Sequence, residues 1–156
     1  MDGVFEERQK NMLSRYGEKY CQIGNIDDSE SLRYLLRELL ISKKSHNHNN
    51  DDWITIDNHS HIKLILENYG DSDKRKILTL ISETPVPITK IPHICNMPQT
   101  SAYRKFTSLI QNGLIVRGGL ISSHGRNLVI YKPVFEKIQI DIIKNRSTLK
   151  VILTKN

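Results

Sequence analysis

Apolar residues recur at helical spacing along most of this chain. Leu32, Leu35, Leu36, Leu39 and Leu40 follow the i, i+3, i+4, i+7, i+8 pattern, and Asp27-Asp28-Ser29-Glu30 supplies a start signal, which predicts a helix over about 29–44. Ile62, Ile65 and Leu66 predict a second helix over 61–69, with Gly70 as its stop. Ile77, Leu80 and Ile81 mark a third over 73–83, broken by Thr84-Pro85-Val86-Pro87. A short helix is expected around Ile91, Ile94 and Cys95, where Thr89 as N-cap would place Pro92 in the first turn. After a turn at Asn96-Met97-Pro98, a longer helix runs from about 99 to 111, with Ala102, Phe106, Leu109 and Ile110 on one face, and stops at Asn112-Gly113.

The period then changes. Leu114–Arg117 and Leu128–Tyr131 read as strands, with Gly118-Gly119 as a bulge or twist point and 122–127 as the tip of the hairpin. Ile138, Ile140 and Ile142 alternate with polar residues, as do Leu149, Val151 and Leu153 after a turn at Lys144–Ser147. These predict a C-terminal hairpin; a helix from Phe135 is the competing reading. Near the start, Phe5, Met12, Leu13, Tyr16 and Tyr20 predict a charge-rich helix over 4–20, with Gly17 as a weak spot. Ser45–Asp52 lacks apolar residues and reads as a linker, and Trp53–Asp57 as a short extended patch. The resulting expectation is a mostly helical α+β chain: an N-terminal helical extension (1–44), a linker (45–57), a winged helix-turn-helix (58–133) and a hairpin tail (134–156). Helix, short helix, longer helix and hairpin, in that order, is the arrangement by which winged domains dock on duplex DNA.

Charge supports that expectation. Residues 74–156 hold 14 Lys/Arg against 3 Asp/Glu, net +11, whereas residues 1–73 hold 9 against 14, net −5. The basic half is thus the half with the predicted hairpin, and a polyanionic partner accounts for the coincidence. No apolar run approaches the length of a bilayer span, and the acidic first residues lack a secretory pattern, so no membrane partner and a cytoplasmic location are expected. Cys21 and Cys95 are expected to stay reduced. No metal or other cofactor is expected. His93/Cys95, His46/His48 and His59/His61 make no ligand motif, so Cys95 reads as a core residue and the histidines as polar linker residues. Phosphate-loop, nucleophile-elbow and kinase-type motifs are missing, so no enzymatic activity is expected.

The candidate DNA contacts follow from a helical wheel. Opposite the apolar back of the 99–111 helix lie Thr100, Ser101, Arg104, Thr107, Ser108 and Gln111, with Gln99 at its start and Tyr103 and Lys105 on the flanks. Small hydroxyls meet phosphates or base edges without steric block, and an arginine reaches guanine O6 and N7 with two hydrogen bonds. Arg104 is therefore the candidate base reader and Lys105 a phosphate contact. In the hairpin, His124 and Arg126 lie at the tip, Arg126 as the candidate for the minor groove, while Arg117 and Lys132 on the strands are in reach of the backbone.

Two stretches carry a resemblance. Ile62-Lys63-Leu64-Ile65-Leu66-Glu67-Asn68-Tyr69-Gly70-Asp71-Ser72-Asp73-Lys74-Arg75-Lys76-Ile77-Leu78 resembles the entry of ArsR-like and related archaeal winged helix-turn-helix regulators. Pro98–Lys105, followed by Leu109–Ile115, is similar to their recognition helix and its exit into the wing. The resemblance covers about residues 60–133. It implies a transcriptional regulator of double-stranded DNA, usually dimeric. The Leu32–Leu40 stripe is the expected homodimer surface. The alternative is a winged-helix adaptor that binds protein within a transcription or repair assembly.

Overall fold

The computed structural model describes residues 27–45 and 52–155; the helix expected over 4–20, Cys21 and most of the 45–52 linker lie outside the described residues. The described chain is mixed α+β. Helix α1 (Asp28–Ser45) and a short strand β1 (Ile54–Ile56) precede α2 (His59–Gly70) and α3 (Ser72–Glu83). A 3-10 turn (Ile88–Lys90), the one-turn helix α4 (Ile91–Ile94) and α5 (Gln99–Gln111) follow. Four strands complete it: β2 (Ile115–Ser123), β3 (Arg126–Pro133), β4 (Phe135–Ile143) and β5 (Arg146–Leu153). They form an antiparallel pair β2–β3 and an antiparallel sheet in the order β1-β5-β4.

The C-terminal hairpin is present and the competing helix from Phe135 is not. The Trp53–Asp57 patch, expected within a linker, supplies β1, which pairs with β5 through Ile54–Val151 and Ile56–Leu149. Both hairpins turn on two residues of positive φ, His124 (49°) and Gly125 (75°) in one, Lys144 (50°) and Asn145 (62°) in the other. Such a turn matches the right-handed twist of the flanking strands. The strands therefore pair up to the turn: Ser122–Asn127 and Ser123–Arg126 are ladder partners, where the sequence suggested an open tip. The expected bulge occurs between Arg117 and Gly119, and Gly119 takes φ 138° there.

Two helix-end expectations need correction. Gly70 is the last residue of α2 and its φ is not positive; the helix ends because Asp71 turns extended. The Asp71 side chain then caps α3, accepting from the backbone N–H of Asp73 and Lys74, each at 3.0 Å. Thr89 is not the cap of α4: it lies in the preceding 3-10 turn, and Lys90 occupies the N-cap position. Pro92 does lie in the first turn, where its missing N–H leaves no hydrogen bond unmade.

The core is single. Leu32, Leu35, Leu36 and Leu39 of α1 are 0–6% exposed and join Ile62, Ile65, Ile77, Phe106, Leu109, Leu149 and Val151 in one cluster. Helix α1 packs against α2 and α5. The leucine stripe is thus consumed within the chain, and the ground for expecting it to hold a second copy falls away. Gly113 makes the close approach possible. A Cβ built there would lie 2.8 Å from the Arg33 Cα, and the residue sits at φ +75°. It closes α5 in a Schellman motif, with Gly113 N–H donating to Ile110 O and Leu114 N–H to Leu109 O, both at 3.0 Å.

His61 is not a linker residue either. It is 7% exposed at the start of α2, with Nε2 3.0 Å from the Ser31 hydroxyl of α1 and no partner for Nδ1 among the described residues. Burial lowers its pKa below the ordinary value, against the opposing pull of Asp28 and Asp57.

Gly113→Ala combines left-handed strain with a clash against backbone and should cost about 1–3 kcal/mol. Gly70→Ala, helical and with nothing within 4 Å of the added Cβ, should be neutral or stabilising; urea unfolding of both variants checks the contrast. For His61, the unfolded chain binds the proton more readily than the folded one, so its stabilising contribution is complete above about pH 6.5 and declines as pH falls below it. Melting temperatures between pH 7.5 and 5.5 should fall for the native chain and fall less for His61→Gln; parallel slopes would remove His61 as the source.

Candidate nucleic-acid interface

Helix α5 is placed by the turn before it and the network beneath it. The turn after α4 is a second Schellman closure: Asn96 takes φ 53°, donates to His93 O at 3.2 Å, and Met97 N–H donates to Pro92 O at 2.9 Å. Asparagine tolerates this left-handed position better than most residues. Met97 is then buried, and Pro98 opens α5, accepting from Ala102 N–H at 3.0 Å.

Around the α5 axis the residues separate into three strips. Ala102, Phe106 and Leu109 are buried, and the Phe106 ring meets Tyr131 of β3 edge-on at 5.1 Å. A second strip, Lys105, Ser108 and the C-capping Asn112, is spaced i, i+3, i+7 and faces the α2–α3 junction. Lys105 Nζ donates to both carboxylate oxygens of Asp71, at 2.9 and 2.7 Å, and lies 3.5 Å from Asp73. Lys74 Nζ of α3 donates to Ser108 Oγ at 2.9 Å and to Asn68 Oδ1 at 2.8 Å. Asn112 Nδ2 donates to the same Asn68 oxygen at 3.2 Å, and Asn68 Nδ2 to Leu64 O at 2.7 Å. The hydrogen bond from Lys105 holds the Asp71 carboxyl below its usual range and raises the Lys105 pKa in return. Burial lowers that of Lys74, partly offset by Asp71.

The third strip faces out. Gln99, Thr100, Arg104, Thr107 and Gln111 are exposed. None of these five side chains has a hydrogen-bond or ion-pair partner among the described residues. Ser101 and Tyr103 are half-buried at its edges.

The sequence-derived contact set therefore divides. Gln99, Thr100 and Arg104 lie on the outward strip, and Ser101 and Tyr103 border it. Lys105 and Ser108, expected to meet DNA, are turned toward the α2–α3 junction and hold intrachain partners; the wheel put Ser108 on the open face and Lys105 on its flank because it carries no information on where α3 lies. In the hairpin, Arg117, His124 and Arg126 are exposed, while Lys132 is half-buried with Nζ 3.2 Å from Lys155 O. Pro87, just before the 3-10 turn, forms an antiparallel bridge with Ile130 of β3, which ties the α3–α4 connection to the hairpin. His93 is exposed; Cys95 is half-buried, and burial pushes its thiol up.

Sequence reasoning missed the buried pair Asn68 and Asn112, 2% and 8% exposed. Asn112 read as a helix stop and Asn68 as an unremarkable helical residue. The polar i, i+3, i+7 strip on α5 was the available signal, since such a strip beside an apolar face requires polar partners.

No known family pattern matches this chain, and no curated protein does. Among the described residues no helix is long and apolar enough to cross a membrane.

Asp71 both caps α3 and anchors Lys105. Asp71→Ala should cost about 2 kcal/mol from the lost cap and charged hydrogen bond, measured by chemical denaturation. Asp71→Asn, which keeps a capping oxygen, should retain part of that stability.

Proposed function

We propose that this chain is a duplex-DNA-binding transcriptional regulator built on a winged helix-turn-helix. In this reading α3, α4 and α5 form the helical unit, α5 enters the major groove, and the β2–β3 hairpin is the wing. The observation that carries it is the outward strip of α5. On the inward side Lys105, Ser108 and Asn112 bond to residues of α2, α3 and the turn between them, whereas the side chains of Thr100, Arg104, Thr107 and Gln111 have no such partner among the described residues. Hydroxyl, guanidinium and amide groups along an open helix face form a set suited to base edges and phosphates. The Pro87–Ile130 bridge supports the same reading, because it fastens the hairpin beside the helical unit. The excess of basic residues beyond residue 74 supplies the long-range attraction. The kinship proposed with ArsR-like regulators rests on the stretches 62–78 and 98–115, and a cytoplasmic location accords with it.

Roles then divide among the arginines. Arg104, central on the open strip, reads a base edge; Arg126, beside the hairpin turn, meets the backbone or minor groove. Arg104→Ala should cost about 1–3 kcal/mol on a preferred site and little on random duplex. Arg126→Ala should weaken both alike and flatten the dependence of log affinity on log salt by about one unit. Fluorescence anisotropy at several salt concentrations, on sites selected from random duplex, measures these effects. If both variants bind as the native chain does, the DNA reading fails and a protein-binding adaptor takes its place.

A further inference from the structure

The sheet order β1-β5-β4 leaves one edge of β4 without a partner strand among the described residues. That strand is nine residues long and carries three of the seven large apolar side chains that are exposed among the described residues: Ile140 at 43%, Ile142 and Ile143 each at 70%. Ile138 and Ile140 pair with Val151 and Leu149, both fully buried, so they lie on the core face of the sheet. Ile142 continues that face past the end of the core, opposite Ser147. Proteins ordinarily blunt a free edge with charge, proline, a bulge or shortness; here Glu136, Lys137 and the bulge beside them lie at one end of β4, and the stretch from Ile138 to Ile143 carries one charge, Asp141.

We propose that β4 is a homodimer seam, pairing antiparallel with β4 of a second copy about a two-fold axis at Ile140. The strand is self-complementary in that register. Ile138 of one copy faces Ile142 of the other, Ile140 faces itself, and Gln139 faces Asp141. Shifting the axis to Asp141 would set two carboxylates against each other, which is destabilising. Pairing about Ile140 joins the two three-stranded sheets into one of six strands and brings six isoleucines together on one apolar face. It also supplies the two-fold symmetry that the α1 stripe, buried within the chain, does not provide. The seam is independent of the DNA reading: the dimer stands or falls whether or not α5 binds a groove.

Sedimentation equilibrium of the full chain tests the seam beside a double variant, Ile140→Lys with Ile142→Lys. The native chain should be dimeric at micromolar concentration, and the variant should dissociate at least 100-fold more readily while keeping its circular dichroism. Because such a variant can also misfold, a second measurement uses Ile140→Cys with Cys21→Ser and Cys95→Ala. Directly opposite residues in an antiparallel pair have Cα atoms roughly 4.5–5.5 Å apart, within the span of a disulfide. This variant should therefore form an intermolecular disulfide in air, and Asp141→Cys in the same background should not. A native chain that stays monomeric at 100-fold higher concentration overturns the proposal; residues 1–26 covering the edge would give that result. So does a dimer that survives the lysine pair, or one in which Ile140→Cys fails to cross-link.

Discussion

The rotation of α5 about its own axis is set by where Lys74 and Lys105 place their ammonium groups. Lys74 reaches across from α3 to Ser108 and Asn68, and Lys105 reaches back to Asp71. A buried or half-buried ammonium left unpaired is costly, as is the buried Asn68 amide without its partners. Turning α5 by one residue would break these bonds together and expose Phe106 and Leu109. Apolar packing alone would tolerate a range of rotations; the polar contacts select one. What faces outward is therefore a consequence of what is tied down inside. Asp71 stands at the centre, because one carboxylate ends the α2–α3 turn, caps α3 and anchors Lys105.

The other elements hold that unit from behind and from the side. Helix α1 closes over α2 and α5 and depends on a position without a Cβ at Gly113, where its backbone comes nearest. The hairpin is fixed at its base by the Phe106–Tyr131 contact and the Pro87–Ile130 bridge. Val134 links the two sheets: its N–H donates to Leu114 O, and its carbonyl accepts from Thr154 N–H, each at 2.9 Å. The hairpin tip, by contrast, extends well past these anchors, with His124, Gly125 and Arg126 exposed.

Much of this fold was legible in the chain because its helices are amphipathic at unambiguous spacing and its breaks are chemically plain. Thr84–Pro87, Asn96–Pro98 and Asn112-Gly113 each end an element for a reason visible in the residues. The lengths of β2 and β3 were less legible: Ser122, Ser123 and Asn127 look like loop residues, and only the paired positive φ at His124 and Gly125 shows that the turn needs two residues. The destination of the Leu32–Leu40 stripe was not legible, since an apolar stripe is the same in sequence whether its own chain or another covers it. The same ambiguity divided the candidate contacts. Arg104 and Lys105 are neighbours of like charge, and one faces solvent while the other meets a carboxylate brought near by a turn 34 residues earlier. His61 was misread for a similar reason, because its burial depends on α1 lying across it.

In the proposed complex the outward strip of α5, together with the hairpin tip, meets duplex DNA. Amide and side-chain NMR shifts recorded during titration with a short duplex at low salt test it most directly, residue by residue. Perturbations are expected at Thr100, Arg104, Thr107, Gln111 and Arg126, with Lys74, Ser108 and Asn112 little changed. Shifts absent from α5 and the hairpin, or concentrated instead on the inward strip of α5, would contradict it.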